Sequence, residues 1–67
     1  MQLTINGHPT ELPGTSATVA TLLDHLGMTG KPVVVELNQS ALFPRELAST
    51  PLKDGDALEL VQITAGG

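Results

Sequence analysis

The stretch "ALELVQITAGG", residues 57–67, decides how this chain is read. Its first part alternates, with Leu58 and Leu60 on one face, as a half-buried strand does. The strand reading runs over residues 57–63. Thr64, Ala65, Gly66 and Gly67 follow, and they offer a core almost nothing to bury. Working back, "PVVVEL" at 32–37 is rich in β-branched residues and opens on a proline, which a strand tolerates at its start. At the other end, "MQLTINGHPTEL" alternates with Leu3 and Ile5 on one face. Asn6-Gly7 is a strong hairpin signal, because both central positions of a type I′ turn need positive φ. An antiparallel pair of residues 2–6 with residues 9–12 is predicted. Pro9 cannot donate to a ladder, which puts the second strand at a sheet edge.

Between these strands, Thr18 has the character of an N-cap. Val19, Leu22, Leu23 and Leu26 follow at i, i+3, i+4 and i+7, one apolar stripe on a short helix. Gly27 suits the left-handed position that stops it. Asp24 and His25 fall away from the centre of the stripe. "PGTSA" (13–17) is a loop. Asn38-Gln39 is a turn, residues 41–43 a short strand cut off by Pro44, and residues 46–48 a single helical turn. "STPLKDGD" (49–56) is a loop with Asp54-Gly55 as its turn. One amphipathic helix needs one apolar sheet face, so the class is α+β in two layers. The expected core is Leu3, Ile5, Val19, Leu22, Leu23, Leu26, Val35, Leu37, Leu58 and Leu60. The division is one domain over residues 1–62 and a flexible tail over residues 63–67.

Composition narrows the function. A chain of 67 residues holds one small domain. With no cysteine it has no disulfide, thiolate metal site or cysteine nucleophile, which fits a cytoplasmic protein. No apolar run reaches the roughly 18 residues that span a bilayer, and the start lacks the pattern of a signal peptide. Seven acids against three bases give a net charge of −4. The bases, Lys31, Arg45 and Lys53, are scattered, and Phe43 alone could stack on a base, so nucleic-acid binding is not expected. A mildly acidic surface suits a protein partner with a basic docking face.

Catalytic machinery is absent from the pattern. His8 and His25 are the only histidines and have no metal-ligand spacing. Asp54 and Asp56 are explained by their turn. The serines lie outside any nucleophile elbow, and the glycines match neither a dinucleotide fingerprint nor a phosphate loop.

The tail carries the remaining chemistry. The α-carboxylate of Gly67 is an anion at neutral pH, with a pKa of about 3.3–3.7, and a poor acyl donor until it is phosphoryl-activated. Glycine lacks a Cβ, so the chain can thread a narrow channel. At about 3.3–3.6 Å per residue, residues 63–67 reach roughly 17 Å when extended.

Taken in order, "MQLTING", "TVATLLDHLG", "VVVELNQ", "FPREL", "DGDALELV" and "AGG" resemble the β-grasp (ubiquitin-like) fold and its sulfur-carrier branch. The resemblance covers essentially the whole chain. Asn38, then Pro44-Arg45-Glu46, then Asp54-Gly55-Asp56, then Ala65-Gly66-Gly67 are most similar to the ThiS family, sulfur carriers of bacterial thiamin biosynthesis.

That resemblance implies a mixed sheet of four to five strands packed on one helix, with the first and last strands parallel at its centre. It implies a protein cosubstrate, not an enzyme, with no cofactor of its own. A ThiF-type adenylating enzyme, using ATP and Mg²⁺, would convert the Gly67 carboxylate to an acyl-adenylate, with Gly66 as its slender neighbour. Sulfur from a persulfide donor protein would displace AMP and leave a thiocarboxylate. A ThiG-type thiazole synthase would take that sulfur. Val61 and Ile63, with Val34, would stand on the open sheet face or beyond it as a docking patch continuing into Thr64 and Ala65.

Two other readings share the fold. The small subunit of molybdopterin synthase also carries a thiocarboxylate, but its tail usually has prolines where this chain has Gln62-Ile63-Thr64-Ala65. A ubiquitin-like modifier or a plain binding module is the alternative of another class.

Overall fold

The computed structural model describes residues 1–64. Nine elements follow one another: β1 (Gln2–Ile5), β2 (His8–Glu11), β3 (Ala17–Thr18), α1 (Val19–His25), β4 (Val33–Leu37), β5 (Ser40–Leu42), a 3₁₀ turn (Pro44–Glu46), β6 (Pro51–Leu52) and β7 (Ala57–Gln62). Five strands form one mixed sheet in the order β2-β1-β7-β4-β5. β1 and β7 are parallel, and the other pairs are antiparallel. The helix covers one face. The expected β-grasp arrangement is therefore present, with β2 and its Pro9 at an edge.

Local chemistry explains the turns. Asn6 and Gly7 have φ of 50° and 82°, as a type I′ hairpin requires. Asn6 also extends the parallel pairing beyond the end of β1. Its Oδ1 accepts from the Leu60 N–H (2.8 Å), and its Nδ2 donates to the Leu60 carbonyl (3.1 Å). Asn38 and Gln39 form a second turn with both φ values positive, 49° and 72°.

The helix begins and ends as its sequence requires. Thr18 Oγ1 accepts from the Thr21 N–H. The N–H groups of Val19 and Ala20 donate to the carbonyls of Thr50 and Leu47, so the first turn leaves no orphan donor there. At the other end Gly27 N–H bonds to Asp24 and Met28 N–H to Leu23, the two bonds of a Schellman stop, with Gly27 at φ 73°.

The core is aliphatic throughout: Leu3, Ile5, Leu12, Val19, Leu22, Leu23, Val35, Leu52, Leu58 and Leu60. Three expectations are corrected. Leu26 is 38% exposed, because it is the C-cap residue, where the chain turns out of the helix. Leu37 is only half-buried, at the last position of β4. Leu12 and Leu52 take their places inside. The loops 13–17 and 49–56 also contribute more than turns, since β3 and β6 pair antiparallel as Ala17↔Leu52 and Thr18↔Pro51. That small second sheet delivers Leu52 to the core.

Asp56 is the one buried charged residue among those described. Its carboxylate accepts from the Lys53 N–H (2.8 Å) and from Asn38 Nδ2 (3.0 Å). Asn38 Oδ1 in turn accepts from the Ala57 N–H. The network closes the end of the sheet remote from the tail.

Candidate functional site

Alternation along β7 puts Leu58 and Leu60 under the helix and leaves Ala57, Glu59 and Val61 on the open face. On β4 the same alternation buries Val35 and turns Val34 and Glu36 outward. The antiparallel register then sets Val34 directly opposite Val61, and Glu36 directly opposite Glu59. The open face thus carries an apolar pair beside an acidic pair. Val34 and Val61 are 45% and 57% exposed.

Ile63 lies one residue past β7 and is 52% exposed. Its N–H donates to the Pro32 carbonyl (2.8 Å), which ties the root of the tail to the start of β4. Thr64 is exposed. Ala65, Gly66 and Gly67 lie outside the described residues. Val34, Val61 and Ile63 are therefore brought together at the end of the sheet where the chain runs on to its terminal glycines.

Ile63 and Val34 also border a cleft of about 700 Å³ between the end of α1, the start of β4 and the 3₁₀ turn. The sequence pattern did not reveal this cleft. Its walls come from distant segments, and only the crossing of the helix over the sheet assembles them. The register that opposes Glu36 to Glu59 was likewise invisible before the pairing of β4 with β7 was known.

Among the described residues nothing else gathers reactive groups. His8 and His25 are both exposed, and no cluster of three potential metal ligands exists among the described residues. Asp54 and Asp56 serve the turn before β7, with Gly55 at φ 91°. Phe43 is 60% exposed beneath the Arg45 guanidinium, 4.8 Å from the ring centre, a surface cation–π contact.

The family model described as the ThiS family matches residues 3–67, a span that includes both terminal glycines. The chain belongs to the ThiS family. Within or beside that family, it is 38% identical over 63 residues to the sulfur carrier protein ThiS of Thermus thermophilus, covering 94% of this chain and 95% of that one. It is 37% identical over 67 residues to a thiazole synthase of Paramagnetospirillum magneticum, covering all of this chain but only 20% of that protein. The crystal structure of the thiamine biosynthesis protein ThiS from Geobacter metallireducens superposes with a TM-score of 0.85 at 39% identity, over 100% of both chains. Its solution structure gives 0.83, over 100% of this chain and 88% of that one. The β-grasp fold is thus common to this chain and to ThiS structures. No helix among the described residues is long and apolar enough to cross a membrane.

Proposed function

We propose that this chain carries sulfur for thiazole formation in thiamin biosynthesis, on a thiocarboxylate built at Gly67. Membership of the ThiS family makes it a sulfur carrier, a protein cosubstrate and not an enzyme. The observation that carries the mechanism is the extent of the family match, which runs through Gly66 to Gly67 itself.

The chemistry follows from the carboxylate. A ThiF-type enzyme with ATP and Mg²⁺ transfers AMP to the Gly67 carboxylate and releases pyrophosphate. The terminal sulfur of a protein persulfide attacks the acyl carbon, and AMP leaves. A second thiolate then attacks the donor's sulfur in the resulting acyl disulfide and forms a new disulfide with it, and the thiocarboxylate leaves. A ThiG-type thiazole synthase accepts the sulfur. These partners dock on the open face at Val34 and Val61, with Ile63 and Thr64 guiding Ala65, Gly66 and Gly67 into each active site. Ile63 and Thr64 join the folded domain to the three residues that each active site takes in. The cytoplasm, where ATP and reduced thiols coexist, is the compartment this chemistry needs.

The similarity of the whole chain to one fifth of a thiazole synthase supports that enzyme as a partner. It also favours the thiamin branch over the molybdopterin one. The test is reconstituted thiazole synthesis from the carrier, the adenylating enzyme, ATP, a persulfide donor and the synthase. Product should form with the full chain and vanish when Gly67 is deleted, while the unfolding midpoint stays nearly unchanged. Equal product without Gly67 would reject the mechanism.

A further inference from the structure

The open face accounts for Val34 and Val61 but leaves the cleft beside Ile63 without a role. Its volume, about 700 Å³, is large for so small a domain. It is broadly open to solvent, a groove that a partner's surface would have to close. Met28, Leu42 and Leu47 wall it, half-buried side chains packed against the core on one side and facing the cleft on the other. Among the described residues, Lys31 is the only ionisable one on the lining. Among the described residues no carboxylate forms an ion pair with it. Lys31 puts one positive charge on this rim, with the Asp24 carboxylate near it, accepting from the lining residue Thr29 (3.3 Å).

Position ties the cleft to the tail. Ile63 borders it, and Val34 belongs both to its rim and to the open-face pair. A partner that covers the root of the tail therefore also covers the mouth of the cleft. Thr64, Ala65, Gly66 and Gly67, the chain's own continuation, carry no large apolar side chain suited to fill it. The occupant comes from outside, apolar at its tip and acidic beside it.

We propose that the cleft is a socket for an apolar side chain of the thiazole synthase, seated so that a neighbouring carboxylate of that enzyme pairs with Lys31. The proposal rests on the sulfur-carrier reading above. The synthase is chosen because a relative of this chain forms one fifth of a thiazole synthase polypeptide. Such tethering keeps two matched surfaces at high effective concentration.

The test titrates the full chain, labelled at methyl groups, with the thiazole synthase. Methyl signals of Met28, Leu42 and Leu47 should move on saturation. Lys31→Glu should weaken binding by roughly tenfold, most clearly at low salt, and Lys31→Arg should restore most of it. Binding with unmoved cleft methyls and an unaffected Lys31→Glu variant overturns the socket and leaves the sulfur-carrier reading intact. No binding by the unaltered chain overturns both. Cleft shifts that depend on the chain's own concentration, without synthase, assign the cleft to a second copy and overturn the proposal.

Discussion

Val34 and Val61 stand directly opposite each other on the open face of the β4–β7 pair, each about half exposed. Neither contributes to the core beneath, so each can be changed without emptying it. Val61→Ser should cost docking about 1.5 kcal/mol, near tenfold in Kd, if the side chain is buried by a partner. The unfolding midpoint should move by no more than about 4 °C, as for a surface change. Calorimetric titration with the adenylating enzyme or the synthase, beside a thermal melt, checks both.

Glu36 and Glu59 face each other two register positions on, the next pair on the same face. Like charges directly opposite oppose pairing, and an opposite pair contributes roughly 0.2–1 kcal/mol. Glu59→Lys should therefore raise the unfolding midpoint by a few degrees at low salt, less at high salt. The same change should slow association with a partner whose docking face is basic. Stopped-flow rates at two salt concentrations would separate the effects. An unchanged association rate would argue that the pair plays no part in docking, and a faster one that the partner's face is not basic.

Leu22 and Leu26 lie on one helical stripe yet differ in burial. Leu22→Ala should cost about 2–5 kcal/mol, as for a fully buried leucine. At 0.05–0.15 kcal/mol per residue the whole domain is stable by only about 3–10 kcal/mol. The Leu22 variant should thus lose a large share of the domain's stability, and Leu26→Ala should lose well under half as much. Urea unfolding of the two variants gives the comparison.

Asp56 joins Lys53 and Asn38 beneath the turn that leads into β7. Asp56→Ala leaves the Lys53 N–H and Asn38 Nδ2 without their acceptor, at a cost of about 1–3 kcal/mol. Asp56→Asn keeps one acceptor oxygen and should lose less. The network sits at the far end of β4 from Val33 and the tail. The folded fraction of either variant should therefore load sulfur at the normal rate, measured against stability in the same preparation.

Much of the fold was legible because its signals are local. Asn6-Gly7 fixes the hairpin, Thr18 and Gly27 bracket the helix, and the β-branched run 33–35 marks a strand. Leu52 was not legible, since it sits among turn-forming residues and gains its strand only from a pairing with Ala17, 35 positions earlier. Leu12 follows the alternation of β2, but its burial depends on how far the sheet and helix overlap. Leu26 fits the stripe, and only the position of the C-cap exposes it. The sulfur-carrier family was legible in the order of the motifs that ends on Ala65-Gly66-Gly67. The opposition of Val34 to Val61 and the cleft beside Ile63 arise from register and crossing geometry, which have no local trace.

The most direct measurement is the intact mass of the full chain after incubation with the adenylating enzyme, ATP–Mg²⁺ and a persulfide donor, with fragmentation to locate any change. Sulfur carriage predicts a mass higher by the difference between one sulfur and one oxygen, confined to Gly67 and absent without ATP. An unchanged mass in the presence of a competent enzyme, or adducts joined to lysines instead, would contradict it.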